Sequence, residues 1–325
     1  RRGRSRWPLG LALIALLASG VYFLLPVWPF WQTGPAALPG RPVADTAELQ
    51  IALARHGFSP GSVDGRWGSQ TRLALQAFQE SRGLEPSGEL DESTRPLVRI
   101  EEPTHAHYEL TAGALSRIVP APPSWRARGE MPHLGYHRVD EMVGEATASD
   151  PDYLRSLNPG LDWSALRPGD RVLAPFFPAF RLAAPVERID ISLRQRSLRA
   201  YDAAGTLLFH CPVSIAREVA KRPVGTLRVK VRVEDPNYTF NPNILSAAAA
   251  REGITEKFII QPGPNNPVGS VWLGLDRPSY GIHGTPAPEK VGRTESSGCF
   301  RLANWNAEAL LQATTVGTPV HVLDQ

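Results

Sequence analysis

Two short glycine-containing segments near the end of the chain present one imidazole and one thiol. His283 lies in Tyr-Gly-Ile-His-Gly-Thr, and Cys299 lies in Ser-Ser-Gly-Cys-Phe-Arg. A free Cys has a pKa near ~8.5 and therefore carries little thiolate at neutral pH without help. His283 can lower that pKa as an ion-pair partner, or it can take the proton while the thiol attacks. The pair predicts acyl transfer through a cysteine nucleophile.

The residues around this pair suit the same chemistry. The backbone N–H groups of Gly298 and Cys299 are predicted to bind an oxyanion, and losing one such donor typically costs about 10²–10³-fold in rate. Arg301 is expected either to orient a substrate carboxylate or to brace the loop through an ion pair. The remaining predicted substrate-binding residues are Tyr280, Ser297, Gly284 and Thr285, although packing within the strand is the alternative role of Tyr280. A cysteine acyl enzyme needs no metal or organic cofactor.

Alternating apolar and polar residues from Val186 onward predict the sheet that positions these groups. The apolar members of two such runs are Ile189, Ile191, Leu193, Val229, Val231 and Val233. Runs of period two indicate half-buried strands with one wet face. Shorter strands are predicted at 271–275, 280–283 and 319–323, with one helix at about 306–314. Residues 186–325 are therefore predicted to form a mostly β sandwich or barrel.

This region resembles the YkuD-like L,D-transpeptidases, which remodel bacterial peptidoglycan. The resemblance depends on Pro223-x-Gly225, Pro236-Asn237-Tyr238, the run 263–269, His283-Gly284-Thr285 and Ser296-Ser297-Gly298-Cys299-Phe300-Arg301. Two positions depart from the family pattern. Ser297 stands where many members have a second His, and this departure leaves the predicted roles of Cys299 and His283 intact. Ala216 stands where a glycine is common.

The resemblance implies that Cys299 attacks the L,D bond before the terminal D-Ala of a donor stem tetrapeptide. D-Ala would leave, and an amine of a neighbouring stem would resolve the thioester to form a cross-link. Carbapenem-type β-lactams would act as covalent inhibitors. Two alternatives stay open. Water as acceptor would give an L,D-carboxypeptidase or a cross-link or lipoprotein hydrolase, and a dead site would leave a peptidoglycan-binding scaffold.

Helical periodicity predicts a small domain at residues 46–99. Asp45 and Glu48 are spaced to cap a first helix that ends at Gly57. A second helix is predicted from Ser69 to Gly83, and a short third one from about 91 to 98. The domain resembles the three-helix peptidoglycan-binding domain, although a helical adaptor that binds nothing is the alternative.

The middle of the chain is predicted to contain a spacer and a second accessory segment. Residues 100–133 are rich in proline and look like an extended spacer. Residues 134–180 contain two short helical patterns, a turn and a strand, and resemble a degenerate LysM module of α+β type. Glycan binding and a purely structural role are equally open there. The histidines of this region, namely His105, His107, His133 and His137, lack metal-ligand spacing and are predicted to be solvent-facing loop residues.

Residues 1–31 are predicted to be a transmembrane helix that anchors the chain, or alternatively a cleaved signal sequence. No charged residue occurs from Pro8 to Trp31, and four arginines precede this run. Roughly 20 apolar residues cross a bilayer, and basic residues stay on the cytoplasmic side. Residues 32–45 read as a linker. The expected location is the inner membrane, with the catalytic part in the periplasm or cell-wall space.

Composition limits the remaining function classes. The 325 residues carry a net charge of +3, with 21% charged and 42% hydrophobic residues, which is typical of a folded protein. Without a basic stripe interleaved with aromatics, nucleic acid is not an expected partner. There are two cysteines. Cys211 is predicted to be a small core residue, although one bridge to Cys299 remains open.

Overall fold

The computed structural model describes residues 39–178 and 180–324, which form a helical domain, a middle segment and a C-terminal β domain in chain order. The C-terminal β domain is the part predicted above to be catalytic, and we call it the catalytic domain. The anchor predicted over residues 1–31 lies outside the described residues. Within the two described ranges, no helix combines the length and the apolar character that crossing a bilayer requires.

The helical domain consists of two helices and a two-stranded ribbon. Its elements are β1 (Arg41–Pro42), α1 (Thr46–Arg55), α2 (Ser69–Ser81) and β2 (Arg99–Ile100). The Asp45 side chain accepts a 2.9 Å bond from the Glu48 N–H, so it caps α1 as its sequence position predicts. Beyond α2, Gly83 has a φ of +69°, and the Leu84 N–H returns to the Gln79 carbonyl at 3.0 Å.

The third helix predicted at about 91–98 is wrong, because this stretch is a succession of turns. The Arg95 N–H bonds to the Asp91 carbonyl at 3.0 Å, as in one helical turn. The next residue, Pro96, has no N–H to continue the ladder. Leu97 then bonds to the Thr94 carbonyl at 2.9 Å, which is a three-residue spacing.

The middle segment is more regular than its proline content predicts. Its elements are β3 (His105–Glu109), α3 (Ala112–Leu115), α4 (Trp125–Glu130), α5 (Val139–Ala146), α6 (Pro151–Leu157) and β4 (Arg171–Pro175). β3 pairs antiparallel with β4, so an extended spacer over residues 100–133 is not what the chain forms. His105 and His107 lie on this strand and not in a loop. The likeness to a LysM module remains a prediction.

The catalytic domain is built on one eight-stranded sheet. Its elements are β5 (Arg188–Ser192), β6 (Ser197–Tyr201), β7 (Leu207–Pro212), β8 (Gly225–Glu234), β9 (Tyr238–Phe240), α7 (Ser246–Glu252), β10 (Phe258–Ile260), β11 (Val271–Leu275), β12 (Gly281–His283), β13 (Phe300–Arg301), α8 (Asn304–Ala313) and β14 (Pro319–Leu323). The strand order is β13-β12-β11-β8-β14-β5-β6-β7, and β9 and β10 form a separate ribbon.

The two edges of this sheet meet beside the predicted nucleophile. Just beyond β7, the Ser214 N–H bonds to the Arg301 carbonyl at 2.9 Å, and the Arg301 N–H returns to the Ser214 carbonyl at 3.0 Å. The sheet therefore curls toward a barrel, which confirms the mostly β prediction. Cys211 is fully buried in its core, and both cysteines are free thiols.

Candidate active site

Strand register relates the predicted imidazole to the segment that carries the predicted thiol. In the parallel pair β12 and β13, Ile282 is opposite Phe300 and His283 is opposite Arg301. Ile282 and Phe300 are buried in the core. Because side chains alternate along a strand, His283 and Arg301 share the opposite face. Cys299 directly precedes β13, two residues before Arg301, so the register places its backbone one diagonal step from His283.

The His283 ring is held in one tautomer by its own loop. Its Nδ1 atom lies 2.6 Å from the Gly284 carbonyl oxygen, which can only accept a hydrogen bond, so Nδ1 carries the proton. The basic nitrogen of the neutral ring is then Nε2. Burial and, to a smaller extent, the nearby Arg301 charge lower the pKa of His283 to about 4, although the Gly284 and Val268 carbonyls act to raise it. The imidazole is therefore neutral and able to accept a proton at neutral pH.

An aromatic contact fixes the plane of this ring. Trp272 on β11 is directly opposite His283, and the two rings stack with centroids 5.7 Å apart and an interplanar angle of 24°. The indole also lies across Gly281, where an added Cβ would sit 2.7 Å from its ring atoms. Glycine at position 281 is what allows this close approach.

The Cys299 thiol is held in its neutral form. Its Sγ atom donates a hydrogen bond to the Ser279 carbonyl at 3.4 Å, and Ser279 itself has a φ of +66°, in the left-handed region. Burial raises the pKa of Cys299, opposed by the Gly281 N–H and the Arg301 charge. A raised thiol pKa beside a lowered imidazole pKa favours proton transfer during attack over a preformed ion pair.

The loop before the nucleophile is organised by Ser296. Its Oγ atom donates to the Cys299 carbonyl at 2.5 Å and accepts from the Gly298 N–H at 3.2 Å. The Ser296 N–H bonds to the Ile215 carbonyl at 2.8 Å, which ties the loop to the strand edge. The Gly298 N–H, a predicted oxyanion donor, therefore already has a partner that a substrate oxygen would replace. Ser297 is exposed at the tip of the loop.

Arg301 is a largely enclosed cation beside the thiol. Burial lowers the pKa of its guanidinium, and its buried Nε has no hydrogen-bond partner. Within residues 39–178 and 180–324, no acidic side chain forms an ion pair with it. Of the two roles expected from the sequence, this arrangement favours binding of a substrate carboxylate over a structural ion pair.

Three of the predicted substrate-binding residues make contacts within the protein itself. Tyr280 packs against the core, and its hydroxyl donates to the Lys221 carbonyl at 2.9 Å. Gly284 supplies the carbonyl that orients His283. Thr285 is buried, and its N–H donates to the Asn304 side chain at 2.9 Å.

Sequence reasoning missed Asn304 and Glu145. The Asn304 Oδ1 accepts from the Thr285 N–H and, at 3.2 Å, from the Ser270 N–H, so it holds the loop that follows His283. Its Nδ2 donates to the Glu145 carboxylate of α5 at 2.8 Å. The available signal for Asn304 is a polar residue at the start of α8, three positions after Arg301. No local signal indicates Glu145, because it comes from the middle segment.

Two known families match separate parts of the chain. The family described as "L,D-transpeptidase catalytic domain" (YkuD) matches residues 186–322. The family described as "Putative peptidoglycan binding domain" matches residues 43–96. Both agree with the resemblances stated from the sequence.

Individual relatives are similar over part of their length. "Putative L,D-transpeptidase YkuD" of Bacillus licheniformis is 27% identical over 170 residues, which cover 52% of this chain and 84% of that protein. "Putative L,D-transpeptidase in ATP synthase subunits region ORF 5" of Fuscovulum blasticum is 33% identical over 130 residues, covering 39% and 65%. Several others are matched over about half of their length. The solved L,D-transpeptidase 3 of Mycobacterium tuberculosis aligns at 16% identity with a TM-score of 0.34, covering 48% of this chain and 75% of that one.

Proposed function

We propose that this chain, whose residues 186–322 are an L,D-transpeptidase catalytic domain of the YkuD family, is a peptidoglycan L,D-transpeptidase that acts through a Cys299 acyl enzyme. One observation carries the proposal. Cys299 directly precedes β13, which pairs with the strand that ends in His283, and the His283 Nδ1–Gly284 bond leaves Nε2 as the base.

In the first half-reaction, Cys299 Sγ attacks the carbonyl carbon of the L,D bond while His283 Nε2 takes the thiol proton. The tetrahedral oxyanion is bound by the N–H groups of Cys299 and Gly298, the latter released from Ser296. The C–N bond then breaks, and the imidazolium returns its proton to the departing D-Ala amine. The enzyme keeps the acyl group as a thioester.

In the second half-reaction, an amine of a neighbouring stem peptide attacks the thioester. His283 accepts the amine proton and gives it to Sγ as the C–S bond breaks, which restores the free thiol. The product is a peptide cross-link. If water replaces the amine, the same steps release a shortened stem, which is the outcome of an L,D-carboxypeptidase or hydrolase.

Arg301 is assigned to a substrate carboxylate, because its guanidinium lies beside the thiol without an acidic partner in the described part of the chain. We also assign the catalytic part to the cell-wall side of the inner membrane, with residues 1–31 as an anchor. This location rests on the apolar run and on the arginines before it.

Incubation with tetrapeptide-bearing muropeptides, followed by mass spectrometry, tests the reaction. We expect cross-linked dimers and released D-Ala from the wild type and neither product from Cys299→Ala. Shortened monomers without dimers would assign water as the acceptor. Intact muropeptides after incubation with the wild type would contradict the proposed reaction and favour the alternative of a peptidoglycan-binding scaffold with a dead site.

Labelling by a carbapenem tests the nucleophile separately, and the second cysteine provides a matched control. Cys211 is fully buried, and burial raises the pKa of its thiol, so it is expected to be inert. We expect one adduct on the wild type and on Cys211→Ala, and none on Cys299→Ala. Labelling that survives Cys299→Ala would contradict the assignment.

A further inference from the structure

A cleft of about 580 Å³ lies where the helical domain meets the catalytic domain. We call it the junction cleft. It is lined by the turn and helix start around residues 60–73, by the turn at 194–196 between β5 and β6, and by Gly292 and Arg293. Neither Cys299 nor His283 lines it, so it is distinct from the site described above. Its volume lies within the range of ligand-binding clefts.

The junction cleft carries an excess of positive charge. Five arginines line it, namely Arg66, Arg72, Arg194, Arg196 and Arg293, against one carboxylate, Asp64. Arg293 pairs with Asp64 at 3.0 Å, and Arg196 pairs with Glu295 at 3.2 Å. For the other three arginines, no ion pair occurs within residues 39–178 and 180–324. A concave surface with three uncompensated guanidinium groups attracts anions.

An aromatic ring lies among these charges. Trp67 precedes α2 and lines the cleft, and it is 51% exposed, which is unusual for so large an apolar side chain. Its indole offers a flat apolar face and one N–H donor. A flat ring bordered by guanidinium groups fits a saccharide that carries carboxylates, since Arg binds carboxylates with two parallel N–H bonds.

Both walls of the cleft are fixed relative to each other. The Gln70 side chain donates to the Val291 carbonyl at 2.8 Å, which joins α2 to the loop before the nucleophile. An added Cβ at Gly292 would lie 2.4 Å from the Gln70 amide nitrogen, so the two surfaces touch closely there. The Arg293–Asp64 pair adds a second link. A site that is already formed avoids part of the ordering cost of binding.

The junction cleft and the nucleophile share one loop. Arg293 lies six residues before Cys299 in the chain, so the two Cα atoms are at most roughly 22 Å apart even if the loop were fully extended. A polymer bound at the cleft could therefore present a side branch to the thiol. The loop itself is held by Ser296, as described above.

We propose that the junction cleft binds a carboxylate-bearing glycan strand, with a sugar ring on Trp67 and carboxylates on Arg66, Arg72 and Arg194. This binding rests on the proposed function, because it would place a stem peptide of the same polymer near Cys299. The site is composite. Trp67, Arg66 and Arg72 belong to the helical domain, whereas Arg194 belongs to the catalytic domain, so neither domain alone provides it.

Calorimetric titration of the full chain carrying Cys299→Ala, which prevents turnover, tests the proposal. The probe is a tetrasaccharide that bears stem tetrapeptides, and an N-acetylglucosamine tetramer is its uncharged counterpart. We expect the charged probe to bind at least about 10-fold more tightly than the neutral one, with an affinity that falls as salt rises. Arg66→Glu combined with Arg194→Glu should weaken binding of the charged probe at least about 10-fold. Trp67→Ala should weaken the binding of both probes about fivefold.

Arg95→Glu is the matched control, because Arg95 is exposed on the same domain and does not line the cleft. Unchanged affinity in the double charge reversal, or equal affinity for the two probes, would overturn the proposal. Carbapenem labelling of the same arginine and tryptophan variants, made in the chain that retains Cys299, separates the binding proposal from the proposed acyl-enzyme chemistry. Normal carbapenem labelling together with lost binding of the charged probe supports the junction cleft as the binding site, and it shows that the catalytic domain is folded. Absence of labelling in the wild type would reject the proposed chemistry and leave the binding result to stand alone.

Discussion

Burial acts in opposite directions on the two groups that are proposed to react. It raises the pKa of the Cys299 thiol and lowers the pKa of the His283 imidazole to about 4. Both effects disfavour the charged form, so a thiol and a neutral ring coexist at neutral pH. Nucleophilicity would then appear only as the proton moves, which ties activation of the thiol to the presence of a substrate.

The pH dependence of acylation follows from these directions. We expect the rate of carbapenem acylation to be flat from about pH 5.5 to about pH 8, because neutral His283 predominates above its lowered pKa. The rate should fall only as the pH approaches about 4 and the ring gains a proton. An inflection near the ordinary His pKa of about 6.5 would contradict this. Circular dichroism at each pH separates loss of the base from acid unfolding.

Gly281→Ala tests the contact that orients the ring. The new Cβ would lie 2.7 Å from the Trp272 indole, which must move away from its stack on His283. We expect the acylation rate to fall about 10-fold or more, because small displacements of a catalytic group are costly. Gly113→Ala on α3 is the control, since its Cβ would meet only one atom, at 3.9 Å. An unaltered rate in Gly281→Ala would show that the stack has no role in the reaction.

At the level of elements, the site depends on the junction of β12, α8 and α5. Asn304 begins α8 and binds the backbone after His283, while Glu145 near the end of α5 binds Asn304. Burial raises the pKa of Glu145 to about 8, helped by Glu308 and Glu141 and opposed by the bonds from Asn304 and Tyr136. The middle segment thus reaches the back of the catalytic loop through a carboxyl that tends to stay protonated.

Glu145→Gln tests this contact through stability. In the unfolded chain Glu145 ionises near its ordinary pKa, so the protonated carboxyl of the folded state loses its contribution to stability as the pH rises through about 8. Gln cannot ionise, and its oxygen can still accept from Asn304 and Tyr136. We expect the variant to gain on the order of 2 kcal/mol in unfolding free energy at about pH 8.5 and almost nothing near pH 4.

Denaturant titrations at both pH values measure this difference. Glu92→Gln is the control, because Glu92 is an exposed carboxylate of the helical domain. A stability difference between Glu145→Gln and the wild type that does not change with pH would show that Glu145 ionises normally in the folded state.

At the level of the whole molecule, both the helical domain and the middle segment make backbone contacts with the catalytic domain. The helical domain continues the sheet beyond β7, since the Ser59 N–H bonds to the His210 carbonyl at 2.8 Å and the His210 N–H to the Gly57 carbonyl at 3.0 Å. This covers an edge strand that would otherwise expose unpaired backbone groups. The middle segment contacts the stretch after β10, where the Leu134 N–H bonds to the Pro262 carbonyl at 2.9 Å.

Much of the local structure could be predicted because its causes are local. Asp45 caps α1, Gly83 follows the end of α2, and alternating residues such as Ile189 and Ile191 form strands. One of the two errors has a local cause, and the other has a long-range cause. Pro96 removes one backbone donor from a helical pattern. The proline-rich composition of residues 100–133 led to the prediction of a spacer, whereas β3 forms because it pairs with the distant β4.

The amino-acid sequence by itself indicated the candidate reacting residue types, their glycine-flanked settings and the family that residues 186–322 resemble, because these depend on short runs of neighbouring residues. Only the tertiary structure decided that the segment carrying Cys299 pairs with the strand of His283, that Glu145 binds Asn304 behind the loop after His283, and that arginines from two domains line one cleft. These features depend on register and packing between residues far apart in the chain, which no local pattern encodes.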